Sequence, residues 1–246
     1  MARPATPSGP PAAEVRAMFD RIAPRYEAMN TVMTLGLDAA WRRRAVRATR
    51  LGPGMAAVDV ACGTGSLTRE LARAVGTAGT VTGVDVSDGM LAEARRRGVS
   101  ERAATAEGAA RPEYLVGDAL DLPLDDASVD AATIAFGLRN VADHRRCLAE
   151  LARVTRPGGR VVVLEISTPR GRLGRVLAAT WFARVVPLLG RFAGDAAAYG
   201  YLPDSVRRYP PPARIAAVMR DVGLVDVRWQ ALRPGGLVTL HVGRRA

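Results

Sequence analysis

The feature that most constrains the fold is the run AVDVACGTGSLTREL at residues 57–71. A short β-branched segment, a turn with Gly63 and Gly65, and a helical pattern follow one another, which predicts a strand, a tight loop and a helix N-terminus. Such a loop can hold a small polar ligand against bare backbone. The next apolar run, VTGVDV, contains Asp85. It lies roughly 20 residues after Gly63, the offset at which an acidic side chain can accept ribose hydroxyls.

The glycine pattern separates the nucleotide classes. A dinucleotide fingerprint needs a third glycine, and Thr68 stands at that position. Asp59, in the strand itself, is expected to place a carboxylate at the pocket mouth, where it would repel a pyrophosphate and favour a cationic or zwitterionic ligand. Together with a ribose at Asp85, this predicts S-adenosylmethionine. The alternative is an ordinary strand-to-helix turn with a solvent-facing aspartate nearby.

The alternation of short β-branched runs with helical stretches predicts one α/β domain in a chain of 246 residues. Strands are predicted at 55–61, 80–86, 114–116, 131–136, 160–166, 225–231 and 237–242. Helices are predicted at 14–23, 38–49, 67–74, 89–97, 144–154, 176–189 and 213–222. The last two strands read as a hairpin.

The predicted organisation has three parts. Residues 1–13 form a disordered tail, residues 14–50 a helical cap, and residues 51–246 the main domain with a lid-like insertion near 168–210. Within the cap, an aromatic and Met-containing segment at 26–37 joins the two helices. The Ala/Glu/Arg-rich tract at 98–111 reads as a surface insertion.

Charge and cysteine content limit the partners. The net charge is +11, but every basic residue is arginine, a bias typical of GC-rich coding sequence. With aromatic residues at only 5%, few stacking platforms remain, so we expect no nucleic-acid groove but a weak attraction to anionic lipid headgroups. Cys62 and Cys147 are far apart, which predicts no disulfide framework, no metal site and a reducing cytoplasm. No run approaches the roughly 20 apolar residues of a membrane span.

A set of motifs resembles the ubiquinone/menaquinone C-methyltransferase family: AVDVACGTG, VTGVDVSDGML, VGDALDLPL, FGLRNVADHRRCLAELARVTRPGGRVVVLEIS and GGLVTLHVG. The first three are shared by class I methyltransferases at large, whereas FGLRNV and the RYEAMN segment of the cap are more specific. The resemblance implies a doubly wound, seven-stranded and mostly parallel sheet with an antiparallel terminal strand. It also implies transfer of a methyl group from S-adenosylmethionine to a ring carbon of a polyprenylated quinol, with demethylmenaquinol as the expected acceptor.

The resemblance also implies roles for individual residues. The expected cofactor-binding residues are Asp59, Gly63, Thr64, Gly65, Asp85, Met90, Asp118, Ala119 and Ala135, with Ala135 replacing a serine that is common in the family. From their position at the carboxyl end of a predicted strand, we take Arg139 and Asn140 as the candidate catalytic residues, which would orient the quinol oxygen or a base water. Tyr26, Asn30 and His241 are the candidate substrate contacts. For Asn140 the alternative is an N-cap of the following helix, and for His241 it is a packed core residue.

The segment at 198–206 departs from the family pattern, which favours as an alternative a methyltransferase acting on another aromatic or natural-product acceptor. A basic binding protein with a vestigial pocket is the alternative from another class. The apolar helix at 176–189 is explained by core burial, by a homodimer interface, or by a passage for a prenyl tail. A lipid acceptor also predicts peripheral contact with the inner face of the cell membrane.

Overall fold

The computed structural model describes residues 12–105, 108–167, 196–233 and 236–246. The seven strands are β1 (Ala56–Val60), β2 (Thr80–Asp85), β3 (Glu113–Val116), β4 (Val129–Ala135), β5 (Thr155–Ile166), β6 (Leu224–Leu232) and β7 (Val238–Arg245). The helices are α1 (Ala12–Thr34), α2 (Leu37–Thr49), α3 (Ser66–Val75), α4 (Asp88–Thr105), α5 (His144–Val154), α6 (Ala196–Arg208) and α7 (Pro212–Asp221), with a 3₁₀ turn at Leu138–Asn140. The predicted helix at 176–189, much of the lid-like insertion and most of the predicted tail lie outside the described residues.

The strands form one sheet in the order β3-β2-β1-β4-β5-β7-β6. β1, β2, β3, β4 and β5 are parallel, and β7 runs antiparallel to both of its neighbours, β5 and β6. The strand order therefore reverses between β1 and β4. In an open α/β sheet this switch point leaves a crevice at the carboxyl ends of the strands, where ligands bind. The predicted fold class is confirmed.

The central strands are buried on both faces. Val161 and Val163 of β5 pack with α5 and α7, whereas Val162 and Leu164 pack with α2 and α3. A strand covered by helices on both sides reads as a continuous apolar run. Glu165 is the charged residue within the buried apolar part of β5 and has no exposed surface.

The amino-terminal cap differs from its prediction. The predicted helix at 14–23 and most of the joining segment at 26–37 form a single helix, α1, which runs from Ala12 to Thr34 and continues through Pro24. An interior proline costs a helix about 3 kcal/mol, and tertiary contacts on both sides of Pro24 oppose this cost. On one side, Asp20 accepts hydrogen bonds from the Ser87 hydroxyl (2.6 Å) and the Gly89 amide (3.0 Å) at the start of α4. On the other side, Glu27 contacts the loop after β1.

Two further boundaries differ from the sequence predictions. α4 extends to Thr105, into the tract at 98–111 that was predicted as a surface insertion, because a single glycine costs a helix only about 1 kcal/mol and the residues after Gly98 permit helix. β5 begins at Thr155, and its pairing with β4 shifts register between Val129 and Ala131. The Arg-Pro-Gly-Gly segment is therefore an irregularity within the strand.

Candidate active site

A cavity of 380 Å³ occupies the crevice at the switch point. The loops after β1, β2, β3 and β4 form its floor, and α1 crosses above it with Val15, Phe19 and Tyr26. Eight of the residues predicted for the site line this cavity: Tyr26, Gly63, Asp85, Met90, Asp118, Ala119, Ala135 and, from the 3₁₀ turn, Asn140.

Asp85 ends β2 and is fixed by the backbone around it. Its Oδ2 accepts the Gly63 amide at 2.8 Å, and its Oδ1 accepts the Ser87 amide at 2.9 Å. Burial raises the pKa of Asp85, although the hydrogen bonds from Ser87 and Gly63 oppose that shift. The result is a preoriented acceptor that lines the cavity, as a ribose diol requires.

The far end of the cavity is suited to a flat, largely apolar group. Asp118 follows β3, and its Oδ1 accepts the Leu120 amide at 2.9 Å, which holds the carboxylate in the loop. Ala119 and Met90 line the same end and are nearly buried. Ala135 supplies only a methyl group at the end of β4, so the wall carries no hydroxyl there.

The two glycines of the Gly-Thr-Gly turn face different sides of the loop. Gly63 and Gly65 both have positive φ, 55° and 76°, a conformation that glycine adopts without strain. Gly63 lines the large cavity, whereas Gly65 faces away from it: a Cβ on Gly65 would come within 2.4 Å of the Tyr114 hydroxyl. Gly65 therefore acts through the shape of the turn and the start of α3.

Asp59 does not stand at the pocket mouth as expected. It is 1% exposed and accepts hydrogen bonds from Thr68 at 2.7 Å and from Thr133 at 2.9 Å. Burial raises its pKa to about 6, and the two threonine bonds act in the opposite direction. The period of two along β1 turns Asp59 inward toward α3, so its carboxylate lies beneath the loop, where it lines a second, smaller cavity.

A smaller cavity of about 30 Å³ continues from the large one at the Gly-Thr-Gly turn. Thr64, 2% exposed, lines it and donates a hydrogen bond of 2.7 Å to Glu27 of the cap. Glu27 and Arg42, which were not predicted, complete this end of the site and are joined at 3.0 Å.

Tyr26 lines both cavities, whereas Asn30 lines neither. A side-chain hydrogen bond joins the two residues one helical turn apart, while burial raises the pKa of Tyr26 and the nearby Arg139 charge lowers it. Phe19 packs edge-on against Tyr26 with ring centroids 6.1 Å apart. Asn30 therefore lies behind Tyr26 and does not line the site itself.

Arg139 lies behind the cavity wall in a buried ion pair. Its Nη1 is 2.6 Å from Oε1 of Glu165, and its backbone amide donates to Oε2 of the same carboxylate at 3.1 Å. Burial would lower the pKa of the guanidinium, but the Glu165 charge outweighs that effect and raises it. Arg139 thus stays protonated, and it also donates to the carbonyl of Phe136, which lines the cavity.

Asn140 is not the cap of the following helix. Asp143 holds that position, because its side chain accepts the Arg146 amide at the start of α5. Within the described residues, Oδ1 of Asn140 is buried and has no hydrogen-bond partner. Since Asn140 lines the cavity and unpaired buried acceptors are rare, this oxygen is a candidate for ligand contact.

His241 lies outside both cavities. It is fully buried in β7, its Nε2 is 3.0 Å from the Pro212 carbonyl, and its ring stacks on Trp229. Burial lowers its pKa to about 4. The prediction of a substrate contact is corrected to a core role, because strand alternation turns this side chain toward α7 and its pairing with Val163 places it inside the sheet.

The chain matches known proteins along nearly its whole length. A sequence profile of the ubiE/COQ5 methyltransferase family matches residues 10–245. The chain belongs to the ubiE/COQ5 methyltransferase family. A demethylmenaquinone methyltransferase from Desulfitobacterium hafniense is 40% identical over 95% of this chain and 90% of its own length. Another, from Mycobacterium sp. (strain KMS), is 43% identical over 93% and 92%.

Among solved structures, a SAM-dependent methyltransferase from Thermotoga maritima has the same fold, with a TM-score of 0.63 and 20% identity over 94% of this chain and 99% of its own. This ubiE/COQ5 family member is therefore an S-adenosylmethionine-dependent methyltransferase. Its own residues are compatible with the cofactor: they provide an acidic acceptor at Asp85, an apolar end at Ala119 and a second, smaller chamber at Thr64.

The sequence analysis does not predict three residues of this site, although the sequence contains a weak signal for each of them. Glu165 is a charge at the end of the apolar run VVVLEI at 161–166, a pattern that indicates a buried partner. Glu27 directly follows Tyr26 in the RYEAMN motif, and Arg42 follows Trp41 four residues after Asp38. The sequence places each of them near a motif but gives no sign of the partner that each one meets.

Proposed function

We propose that this enzyme methylates a ring carbon of a polyprenylated quinol, converting demethylmenaquinol to menaquinol. The observation that carries the proposal is the switch-point cavity, which has an unpaired asparagine oxygen on its wall and a buried, protonated arginine directly behind that wall. The full-length similarity to demethylmenaquinone methyltransferases supports the same acceptor.

The residues divide the work between binding and activation. Asp85 holds the ribose hydroxyls, Asp118 and Ala119 border the adenine, and Thr64 contacts the methionine part. S-adenosylmethionine supplies an electrophilic methyl group on a sulfonium centre. α1 covers the cavity with Phe19 and Tyr26, which excludes water and holds the reactants at close distance, where effective molarity lowers the barrier.

Arg139 and Asn140 act on the acceptor oxygen. A ring carbon becomes nucleophilic when the adjacent hydroxyl loses its proton, and a nearby cation stabilises the resulting phenolate. Because Arg139 stays protonated beside Glu165, we assign it charge stabilisation and not proton acceptance. Oδ1 of Asn140 accepts a hydrogen bond from the acceptor hydroxyl or from a water that carries its proton away.

The test supplies the purified enzyme with methyl-labelled S-adenosylmethionine and demethylmenaquinol in detergent micelles. We expect label in menaquinol, and we expect Asn140→Ala to lower kcat by about 10²-fold, a typical contribution of a group that assists proton transfer, with an unchanged Kd for the cofactor. Label that appears only on a different aromatic acceptor would favour the tailoring alternative. Turnover that persists in Asn140→Ala with only a lower Tm would remove Asn140 from the mechanism.

We also propose that the enzyme is cytoplasmic and contacts the inner face of the cell membrane, where a lipid acceptor resides. The net charge of +11 favours anionic headgroups, and among the described helices none is long and apolar enough to cross a bilayer. Co-sedimentation with phosphatidylglycerol vesicles but not phosphatidylcholine vesicles is the expected result. The homodimer expected from the segment at 176–189 stays a prediction, which analytical ultracentrifugation tests.

A further inference from the structure

Glu27 is a carboxylate that the cap places directly over the Gly-Thr-Gly turn. Its Oε1 accepts the Ser66 hydroxyl at 2.6 Å and Nη1 of Arg42 at 3.0 Å, and its Oε2 accepts the Thr64 hydroxyl at 2.7 Å. Burial alone would raise the pKa of Glu27, but Arg42, Ser66 and Thr64 outweigh it and lower the pKa. The group is therefore ionised, well ordered and mostly shielded from water.

These three hydrogen bonds leave an acceptor position of the Glu27 carboxylate available to a ligand. A carboxylate offers about four acceptor positions, and the three bonds use both positions on Oε1 but only one on Oε2. Glu27 lines the small cavity, which shares Tyr26, Ala61, Gly63, Ala135 and Phe136 with the large one. A volume of about 30 Å³ exceeds the roughly 15 Å³ that a water molecule needs, so an ammonium-sized group fits there.

The charges around this cavity favour a cation. Its charged lining residues are two carboxylates, Glu27 and Asp59, and one guanidinium, Arg42. Just outside the lining, Asp38 bonds to Arg42 at 2.6 Å and the Arg69 charge acts on Glu27, and these two outer charges offset each other. The local balance is one negative charge in excess, and a positive group on the ligand neutralises it.

We propose that Glu27 recognises the ammonium of the amino-acid part of the methyl donor, and that α1 closes over the cofactor through this contact. The opposite arrangement would put the ligand carboxylate on the donors Arg42, Thr64 and Ser66. That requires expulsion of Glu27 from three hydrogen bonds, two from the hydroxyls of Thr64 and Ser66 and one from the buried Arg42 cation. The two arrangements predict opposite effects when Glu27 loses its charge.

The experiment is calorimetric titration of S-adenosylmethionine and of 5′-methylthioadenosine, which lacks the amino-acid part, into the wild type and Glu27→Gln. We expect the variant to bind S-adenosylmethionine at least 10-fold more weakly, equivalent to about 1.4 kcal/mol, and to bind 5′-methylthioadenosine within about twofold of the wild type. An analogue of the cofactor without its amino group should not distinguish the two proteins. Glu70→Gln, on the outer side of α3 where Glu70 pairs with Arg73, is the matched control and should match the wild type throughout.

Tighter binding of S-adenosylmethionine by Glu27→Gln would overturn the proposal, because it would mean that Glu27 competes with the ligand carboxylate. Unchanged affinity, or an equal loss for both ligands, would overturn it as well. Loosening of α1 would weaken the binding of both ligands, so the ratio of the Kd values for S-adenosylmethionine and 5′-methylthioadenosine corrects for it. The fitted stoichiometry reports the folded fraction. The proposal rests on the methyl donor alone, so these titrations can fail while quinol methylation stands, and the reverse also holds.

Discussion

The buried pair of Arg139 and Glu165 allows a stability prediction with a defined magnitude. The Glu165 side chain is fully buried and that of Arg139 is 8% exposed, with 2.6 Å between the charged atoms. Replacement of Glu165 by glutamine leaves the guanidinium buried without a counter-charge. It also places an amide NH₂ among donors, since the carboxylate accepts the backbone amides of Arg139 and Ile166.

Removal of one partner of a buried ion pair costs about 3–5 kcal/mol. In a chain of this size, each kcal/mol shifts Tm by about 2–4 °C, so Glu165→Gln should lower Tm by about 6–20 °C. Urea unfolding monitored by circular dichroism measures the free energy of unfolding directly. Glu70→Gln, which breaks the exposed pair with Arg73, should change it by less than about 1 kcal/mol.

The double variant Glu165→Leu/Arg139→Met tests whether the unpaired buried charge causes this loss of stability. With both charges removed, the desolvation penalty disappears, and the double variant should be more stable than Glu165→Gln although it carries two substitutions. A loss below about 1 kcal/mol in Glu165→Gln, or a double variant less stable than the single one, would refute the view that an uncompensated buried charge sets the cost.

Three further outcomes follow from single positions. Asp85→Asn should weaken cofactor binding by about 10–100-fold in calorimetry, because a charge-assisted acceptor is lost; an unchanged Kd would exclude the ribose role. Because the pKa of His241 is about 4 in the fold, the native state binds fewer protons at this site than the unfolded state does. The free energy of unfolding should therefore fall by up to about 3 kcal/mol as the pH drops from about 6.5 to 4. Asp59, with a pKa of about 6, acts in the opposite direction over about pH 4–6, so the contribution of His241 is isolated by comparing the pH profile of wild type with that of His241→Gln. Gly83→Ala should cost about 1–3 kcal/mol by overpacking, since its Cβ would lie 2.8 Å from the Tyr114 ring; an unchanged urea midpoint would contradict the tight contact.

Elements with strong local signals were predicted well. The strand, turn and helix around Gly63 and Gly65 form as expected, and so does the hairpin of β6 and β7. Errors arose where local and tertiary signals disagree. Pro24 and Gly98 suggested helix ends, yet α1 and α4 continue past them because contacts and neighbouring helix-forming residues offset one unfavourable residue.

The sequence by itself determined the order of strands and helices, the loop at the switch point and the acidic residue at the end of β2, because each depends on residues close together in the chain. Only the tertiary structure decided which charges meet. Glu27 reaches Thr64 across 37 positions and Arg139 reaches Glu165 across 26, while Asp59 turns inward beneath the loop. Such pairings depend on how α1 and the sheet pack, and a buried charge is stable only where packing supplies its partner.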